Sequence, residues 1–311
     1  MGYLAVTLHP AVDKFVRTDR IVADGIARVE VVSIYAGGKG NNVARTLVRM
    51  GESVETLSFN GGFTGAQIVD SLEKEGVTCP WVKCEAAIRI STLVHETETG
   101  QTYALYEPGQ RVSEEEAQRM LDQFVSLIDA DSIVMLCGSG QCPNLVDMYG
   151  KMVEETRKVG ARCLVDSSSP ALNYAIDATP YLVKANEHEI GEYFQDTLDT
   201  REKQVAALKS LIDKGISIAA MTLGPDGMIV TDGKECYHAV LKMREVRNVV
   251  GCGDALLAGM AKALGNNLSL EEITRWGVTV GTANTQADGA GFVDFNLVKE
   301  LLPQVSMTKI F

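Results

Sequence analysis

Short apolar runs alternate with helical patterns along most of the 311-residue chain. Residues 132–137 (SIVMLC) form a continuous apolar run of strand length. Residues 145–159 follow with helical periodicity, and Gly160 stops it. Residues 161–165 and 181–184 read as the next strands, the second running into a helix start at 187–194. Residues 204–214 are a helix closed by Gly215, and 217–222 another strand. This alternation predicts an α/β fold, a parallel sheet with helices on both faces. Ligands of such sheets sit beyond the carboxyl ends of the strands. Chemistry is therefore expected in the loops after Cys137, Val165, Lys184 and Thr222.

Two segments break the rhythm. Residues 15–35 carry alternating positions and few helix signals. From 88 to 106, Arg89, Ser91, Leu93 and His95 alternate with Ile88, Ile90, Thr92 and Val94, then turn at Glu98-Thr99-Gly100 into a return strand. Together they predict a small second sheet beside the main one. No Pro- or Ser-rich linker sets it off, and no internal repeat is present.

Composition narrows the function classes. Hydrophobic residues are 46% and charged residues 23%, which excludes disordered, collagenous and low-complexity readings. Lys plus Arg total 29 against 41 Asp plus Glu, a formal charge of -12. Such a surface repels phosphate backbones, so no nucleic-acid partner is expected. An anionic substrate then requires a local basic island. The N-terminus lacks a basic region and a long apolar run, so neither signal peptide nor membrane span is expected and the location read is cytoplasmic. Seven scattered cysteines without a CxxC pair read as reduced thiols, and the four histidines do not join them at zinc-ligand spacing.

Two glycine loops carry the chemistry. Ala36-Gly37-Gly38-Lys39-Gly40-Asn41-Asn42-Val43-Ala44-Arg45 follows a strand and opens a helix expected over 42–50. Free N–H groups at a helix start make an anion or hydroxyl cradle, and Lys39 adds charge. It is no P-loop, because Gly40 stands where Ser or Thr must follow the lysine. It is no dinucleotide fingerprint either, because Val43 holds the third glycine position. A turn alone is the alternative. The second loop is Asn248-Val249-Val250-Gly251-Cys252-Gly253-Asp254, entering a helix with Leu256, Leu257, Met260, Ala261 and Leu264 on one face. The amides of Gly251, Cys252 and Gly253 are placed to meet an anion, with Asp254 in the first turn beside it. That pairing suits phosphoryl transfer, while a plain helix cap is the alternative. Cys252, a thiol at a helix start, is read either as activated and open to oxidation or as a space-filling small residue.

In Lys184-Ala185-Asn186-Glu187-His188-Glu189, Asn186 and Glu189 share one face of a helical turn. They could serve Mg²⁺ through water or form a capping box. Thr222-Leu223-Gly224-Pro225-Asp226-Gly227 is a glycine turn after a strand.

In this order the motifs resemble the ribokinase-like (PfkB) sugar kinases over nearly the whole chain. GGKGNNVA is similar to that family's N-terminal signature and VVGCGDALLAG to its C-terminal one, with VDSSSPAL, LVKANEHE and TLGPDGM between them. The LHPAVDKF start resembles the phosphohexose-kinase branch. The resemblance implies one domain over 1–311, a Rossmann-type three-layer αβα sandwich with a β-sheet lid from about 13–35 and 86–107. It implies Asp254 as catalytic base and Gly251, Cys252 and Gly253 as anion hole. Asp13, Gly37, Gly38, Lys39 and Asn42 are implied around the sugar, with Lys39, Arg89 and more weakly Arg28 at its phosphate. On the ATP side it implies Lys184, Asn186, Glu189, Thr222, Gly224 and Gly227, with Asn284 at the adenine and Asn186 and Glu189 serving Mg²⁺ through water.

The implied reaction is ATP-dependent phosphorylation of fructose 1-phosphate, tagatose 6-phosphate or fructose 6-phosphate. A free-sugar or nucleoside kinase and a silent sugar-phosphate sensor are the alternatives. A homodimer through the lid sheets is also implied. The chain departs from the family pattern at Gly138-Ser139-Gly140-Gln141, where GSLP is frequent, and at His9, Ala185, Cys252 and Ala255.

Overall fold

The apolar runs become strands without solvent on either face in the computed structural model, which describes residues 2–311. β1 (Tyr3–Thr7) is buried along its whole length. The chain then leaves the main sheet for an antiparallel pair, β2 (Ala11–Thr18) and β3 (Glu30–Gly37). It returns through α1 (Lys39–Arg49), β4 (Val54–Asn60), α2 (Gly62–Lys74) and β5 (Trp81–Lys83). A second excursion forms the hairpin β6 (Arg89–Glu96) and β7 (Thr102–Tyr106). Then come α3 (Glu114–Leu127), β8 (Ile133–Cys137), α4 (Met148–Val159), β9 (Arg162–Asp166) and α5 (Ala171–Asp177). β10 (Leu182–Asn186), α6 (Glu187–Phe194), α7 (Arg201–Asp213) and β11 (Ile218–Thr222) follow. The chain closes with β12 (Met228–Thr231), β13 (Cys236–Val240), α8 (Cys252–Gly265), α9 (Leu270–Asn284), α10 (Phe295–Leu301) and β14 (Ser306–Lys309).

The main sheet has ten strands in the order β14-β13-β12-β11-β10-β9-β8-β1-β4-β5. From β5 to β11 every pairing is parallel, and β12 to β14 add an antiparallel edge. Helices α1, α8 and α9 cover one face, while α3 to α7 cover the other, giving the three-layer sandwich. Strand succession reverses at β1, between β8 and β4, which opens a crevice at the carboxyl edge. Among the described residues no helix is long and apolar enough to cross a membrane.

The second sheet is β3-β2-β6-β7, built from the two rhythm-breaking segments. β2 and β6 pair in parallel, setting Ala11 opposite Arg89 and Asp13 opposite Ser91. Val31, Val32, Ile34, Leu105 and Tyr106 on its outer strands are exposed.

Helix starts differ from the periodicity for local reasons. α1 begins at Lys39, three residues before its apolar pattern, because Gly38 at φ 105° is its cap. Gly40 is inside the helix, and a Cβ there would fall 2.3 Å from Thr7 Oγ1. The missing side chain is what lets α1 lie against β1. The helix expected over 145–159 is split, with a 3₁₀ turn at Pro143–Leu145 and α4 starting at Met148. α7 starts at Arg201 because the Thr200 side chain accepts from Lys203 N.

Candidate active site

A cavity of about 530 Å³ lies at the carboxyl ends of the parallel strands, beneath the small sheet. Asp13, Arg89 and Ser91 reach it from that sheet, Gly38, Lys39 and Asn42 from α1, and Gly251 to Asp254 from the start of α8. It opens onto a second cavity of about 640 Å³ through Thr222, Val249, Cys252 and Gly253. Leu241, Met243, Val246, Leu256 and Val278 give that second space apolar walls, with Gly224 and Gly227 at its edge. A polar chamber thus joins a slot suited to a flat apolar ring.

Asp254 sits in the first turn of α8, 5% exposed. Gly251 at φ 77° precedes the helix, and no side chain caps it. The first-turn N–H groups, Cys252 and Gly253 among them, therefore face the cavity without helical acceptors. Asp254 Oδ2 accepts from Asn42 Nδ2 at 2.8 Å. No protein donor among the described residues reaches Oδ1. Burial raises the Asp254 pKa, and Lys39 opposes that rise.

Sequence reasoning missed Asp166, at the last position of β9 and 1% exposed. Its Oδ1 accepts from Lys39 Nζ at 3.1 Å and its Oδ2 from Lys184 Nζ at 2.6 Å. Burial alone would push its pKa up, but the two ammonium groups hold it below the usual carboxylate range. Asp166 raises the Lys39 pKa in turn, with Asp254 and Glu189 adding to the effect. Its position at the carboxyl end of a predicted strand was the available signal.

Lys39 thus lines the chamber bonded to Asp166 and within electrostatic reach of Asp254. Arg89 lies on β6, where its Nη1 donates to Glu107 O at 3.4 Å and its Nε is buried without a partner. That donor is unspent within the protein. Asp13 faces the same chamber, and burial pushes its pKa up to about 6. Gly37 lies behind it rather than in the lining: a Cβ there would fall 2.1 Å from Asp13 Cγ. Arg28 is exposed on the loop before β3 and outside the cavity lining.

His9 lines the chamber with both ring nitrogens engaged. Nδ1 lies 3.3 Å from Gln110 Oε1, and Nε2 accepts from Cys142 N at 3.3 Å. The ring is therefore neutral with its proton on Nδ1, and it ties the 138–142 loop to the segment after β7. Ser139 and Gln141 of that loop reach the chamber.

Asn186 and Glu189 form the capping box of α6, through Glu189 N to Asn186 Oδ1 at 2.8 Å and Asn186 N to Glu189 Oε2 at 2.9 Å. Both also line the chamber, and Glu189 Oε1 has no hydrogen-bond partner among the described residues. Hard oxygen donors of this kind fit a hydrated Mg²⁺. Among the described residues no group of three or more His, Cys, Asp or Glu side chains could hold a metal ion unaided.

Two expectations change, and for Cys252 the structure favours one of the two readings. Asn284 is fully buried behind the anion loop, donating to Val250 O at 2.9 Å and accepting from Gly291 N at 2.9 Å, so it braces the loop instead of lining the apolar slot. The Cys252 thiol is raised by burial, not lowered by the helix start. No net basic island exists either: Lys39, Lys184 and Arg89 face Asp13, Asp166, Glu189 and Asp254 in one chamber.

A polar transfer chamber joined to an apolar slot, on a ribokinase-like sandwich, defines a phosphotransferase of the sugar-kinase type. The chain belongs to the pfkB family of carbohydrate kinases, whose pattern matches residues 2–295. It is 33% identical to 1-phosphofructokinase of Bacillus subtilis, over 98% of this chain and 99% of that one. It is 27% identical to D-tagatose-1-phosphate kinase of Bacillus licheniformis, over 98% of each. The crystal structure of phosphofructokinase-2 from Escherichia coli with substrates and products superposes with a TM-score of 0.91 at 28% identity, covering 97% of this chain and 98% of that one.

Proposed function

We propose that the protein transfers the γ-phosphoryl group of ATP to a hydroxyl of a phosphorylated ketohexose, giving a bisphosphate and ADP. The observation that carries this is the placement of Asp254, which lines the chamber beside the uncapped start of α8 with Oδ1 bonded to no donor among the described residues. Asp254 takes the proton of the acceptor hydroxyl as the oxygen attacks phosphorus, and the bond from phosphorus to the β–γ bridging oxygen breaks. The amides of Gly251, Cys252 and Gly253 and the Lys39 ammonium meet the charge on the moving phosphoryl oxygens.

Asp13, Gly38 and Asn42 hold the sugar, and Arg89 binds its phosphate. Lys184 orients Asp166 and faces the nucleotide phosphates. The base lies in the apolar slot beyond Thr222, Gly224 and Gly227. Asn186 and Glu189 would hold Mg²⁺ through water, and the ion when bound neutralises charge on the nucleotide phosphates. The small sheet acts as a lid that excludes water. Its exposed Val31, Val32, Ile34 and Leu105 support pairing with a second copy. We place the reaction in the cytoplasm.

Fructose 1-phosphate is the first acceptor to test, because the 33%-identical relative is a 1-phosphofructokinase. The experiment is Mg²⁺-ATP-dependent ADP release with fructose 1-phosphate, tagatose 1- and 6-phosphates, fructose 6-phosphate, free hexoses, ribose and nucleosides. Turnover confined to the phosphohexoses supports the reading, and turnover on unphosphorylated acceptors alone overturns the role of Arg89.

A further inference from the structure

Arg45 is 1% exposed, yet every N–H of its guanidinium has an acceptor. Nε donates to Oε2 of Glu75, the residue that ends α2, and Nη2 donates to Glu75 Oε1 at 3.2 Å and to Ala36 O on β3 at 2.7 Å. Nη1 donates to Ala290 O at 3.0 Å and to Asn42 Oδ1 at 3.0 Å. The Tyr35 and Phe292 rings flank it at 5.3 and 4.6 Å. With all five donors engaged and the side chain outside the cavity lining, Arg45 has no N–H left for a substrate.

What it does have is control of an amide. A guanidinium only donates, so it can face only the oxygen end of Asn42. The NH₂ end must then point the other way, and there it meets Asp254 Oδ2 at 2.8 Å. We infer that Arg45 is a positioning residue that acts through Asn42: it fixes the Asn42 amide so that Asp254 Oδ2 is bonded and Oδ1 is the oxygen left to take the acceptor's proton. This rests on the kinase reading of Asp254. Without Arg45 the amide can turn over, setting its oxygen against the carboxylate. That arrangement favours the protonated, inactive acid.

Other charged groups act on Asp254 as well. Lys39 on α1 and Lys184 on β10 favour its ionised form, while Asp166 on β9 opposes it. Asp13 on β2 and the thiols of Cys137 and Cys252 also lie within its electrostatic reach. None of them contacts Arg45 through a hydrogen bond among the described residues, but the Arg45 charge itself favours the ionised form of Asp13. The amide-mediated effect is separated from that charge effect by removing Asn42.

The test is the Asp254 pKa, read by carbon-13 NMR of protein labelled at aspartate, with Asp254→Asn identifying the signal. Arg45→Lys keeps a charge opposite Glu75 but loses the fork. It should raise the Asp254 pKa by about one unit, and lower kcat about tenfold with KM for ATP unchanged. In an Asn42→Ala background the same substitution should do neither, because the link is already cut. An unchanged Asp254 pKa, or an equal shift in both backgrounds, overturns the inference. If Arg45→Lys does not fold, Arg45→Met with Glu75→Leu removes the buried pair together and serves the same comparison. The NMR readout needs no turnover. Wild-type protein that transfers no phosphoryl group thus defeats the kinase reading, while the pKa comparison still decides the role of Arg45.

Discussion

Lys184 Nζ and Asp166 Oδ2 are 2.6 Å apart, with their side chains 6% and 1% exposed, and Lys39 holds the other oxygen of the same carboxylate. Three charges from α1, β9 and β10 are locked together beneath the transfer chamber. Removing the central one leaves an uncompensated buried ammonium, which typically costs about 3–5 kcal/mol. Asp166→Ala should lower the urea unfolding midpoint accordingly. Its folded pKa is depressed, so the contribution is complete above the unfolded value and is lost as pH falls through the folded one. The difference between wild type and Asp166→Ala should therefore shrink in acid; equal midpoints at neutral pH would show that the cluster adds nothing to stability.

Asp254→Asn keeps the shape of the side chain but removes the base. We expect kcat to fall by about 1,000-fold with the ATP dissociation constant little changed. Steady-state turnover and calorimetric ATP binding check both halves, and near-normal turnover rejects the assignment.

Two cations that line the chamber, Arg89 and Lys39, should separate kinetically. Arg89→Ala should raise KM for the phosphorylated acceptor by about 10- to 100-fold, the range of a lost charged hydrogen bond, with KM for ATP unmoved. Lys39→Met should instead lower kcat, because its partners are Asp166 and Asp254. Matched acceptor-KM effects from both substitutions would put Lys39 back at the sugar phosphate.

Asp13 has the opposite pH sign to Asp166. Burial raises it to about 6, so holding it ionised in the folded protein is unfavourable at neutral pH. That penalty is relieved as pH falls through about 6 towards the unfolded value of 3.8. Asp13→Asn should be more stable than wild type at pH 8, by about 3 kcal/mol, and lose that advantage near pH 4. Over the same range wild-type KM for the acceptor should rise as the carboxylate protonates. Denaturation and kinetics at pH 8, 6 and 5 test the pair.

Peroxide should not single out Cys252. Its thiol is raised by burial, and Asn284 Nδ2 lies 3.5 Å from the sulfur. Wild type and Cys252→Ala should lose activity to mild oxidation at equal rates; selective protection by the substitution would restore a redox role.

Much of the sandwich was legible because its signals are local. Residues 133–137 and 218–221 are apolar at every position, and both runs lie in strands of the main sheet. The Gly251–Asp254 turn likewise carries its geometry in consecutive residues. What escaped depends on distance along the chain. Asp166 matters through Lys39 and Lys184, 127 and 18 residues away. Asn284 was misplaced by helix phase. Gly281, Thr282 and Thr285 of the same stretch line the apolar slot, while Asn284 turns back to the 250–252 loop.

The mixture of three cations and four carboxylates in one chamber also bears on how substrates arrive. A strongly positive funnel draws in polyanions from a distance and accelerates their capture. This mouth, on a molecule of formal charge -12, has no such funnel. Recognition is deferred to contact range, where a ligand must fit Arg89, Asp13 and the uncapped amides one by one. Polyanions of the wrong shape gain nothing from long-range attraction, so selectivity is exercised at docking rather than at encounter.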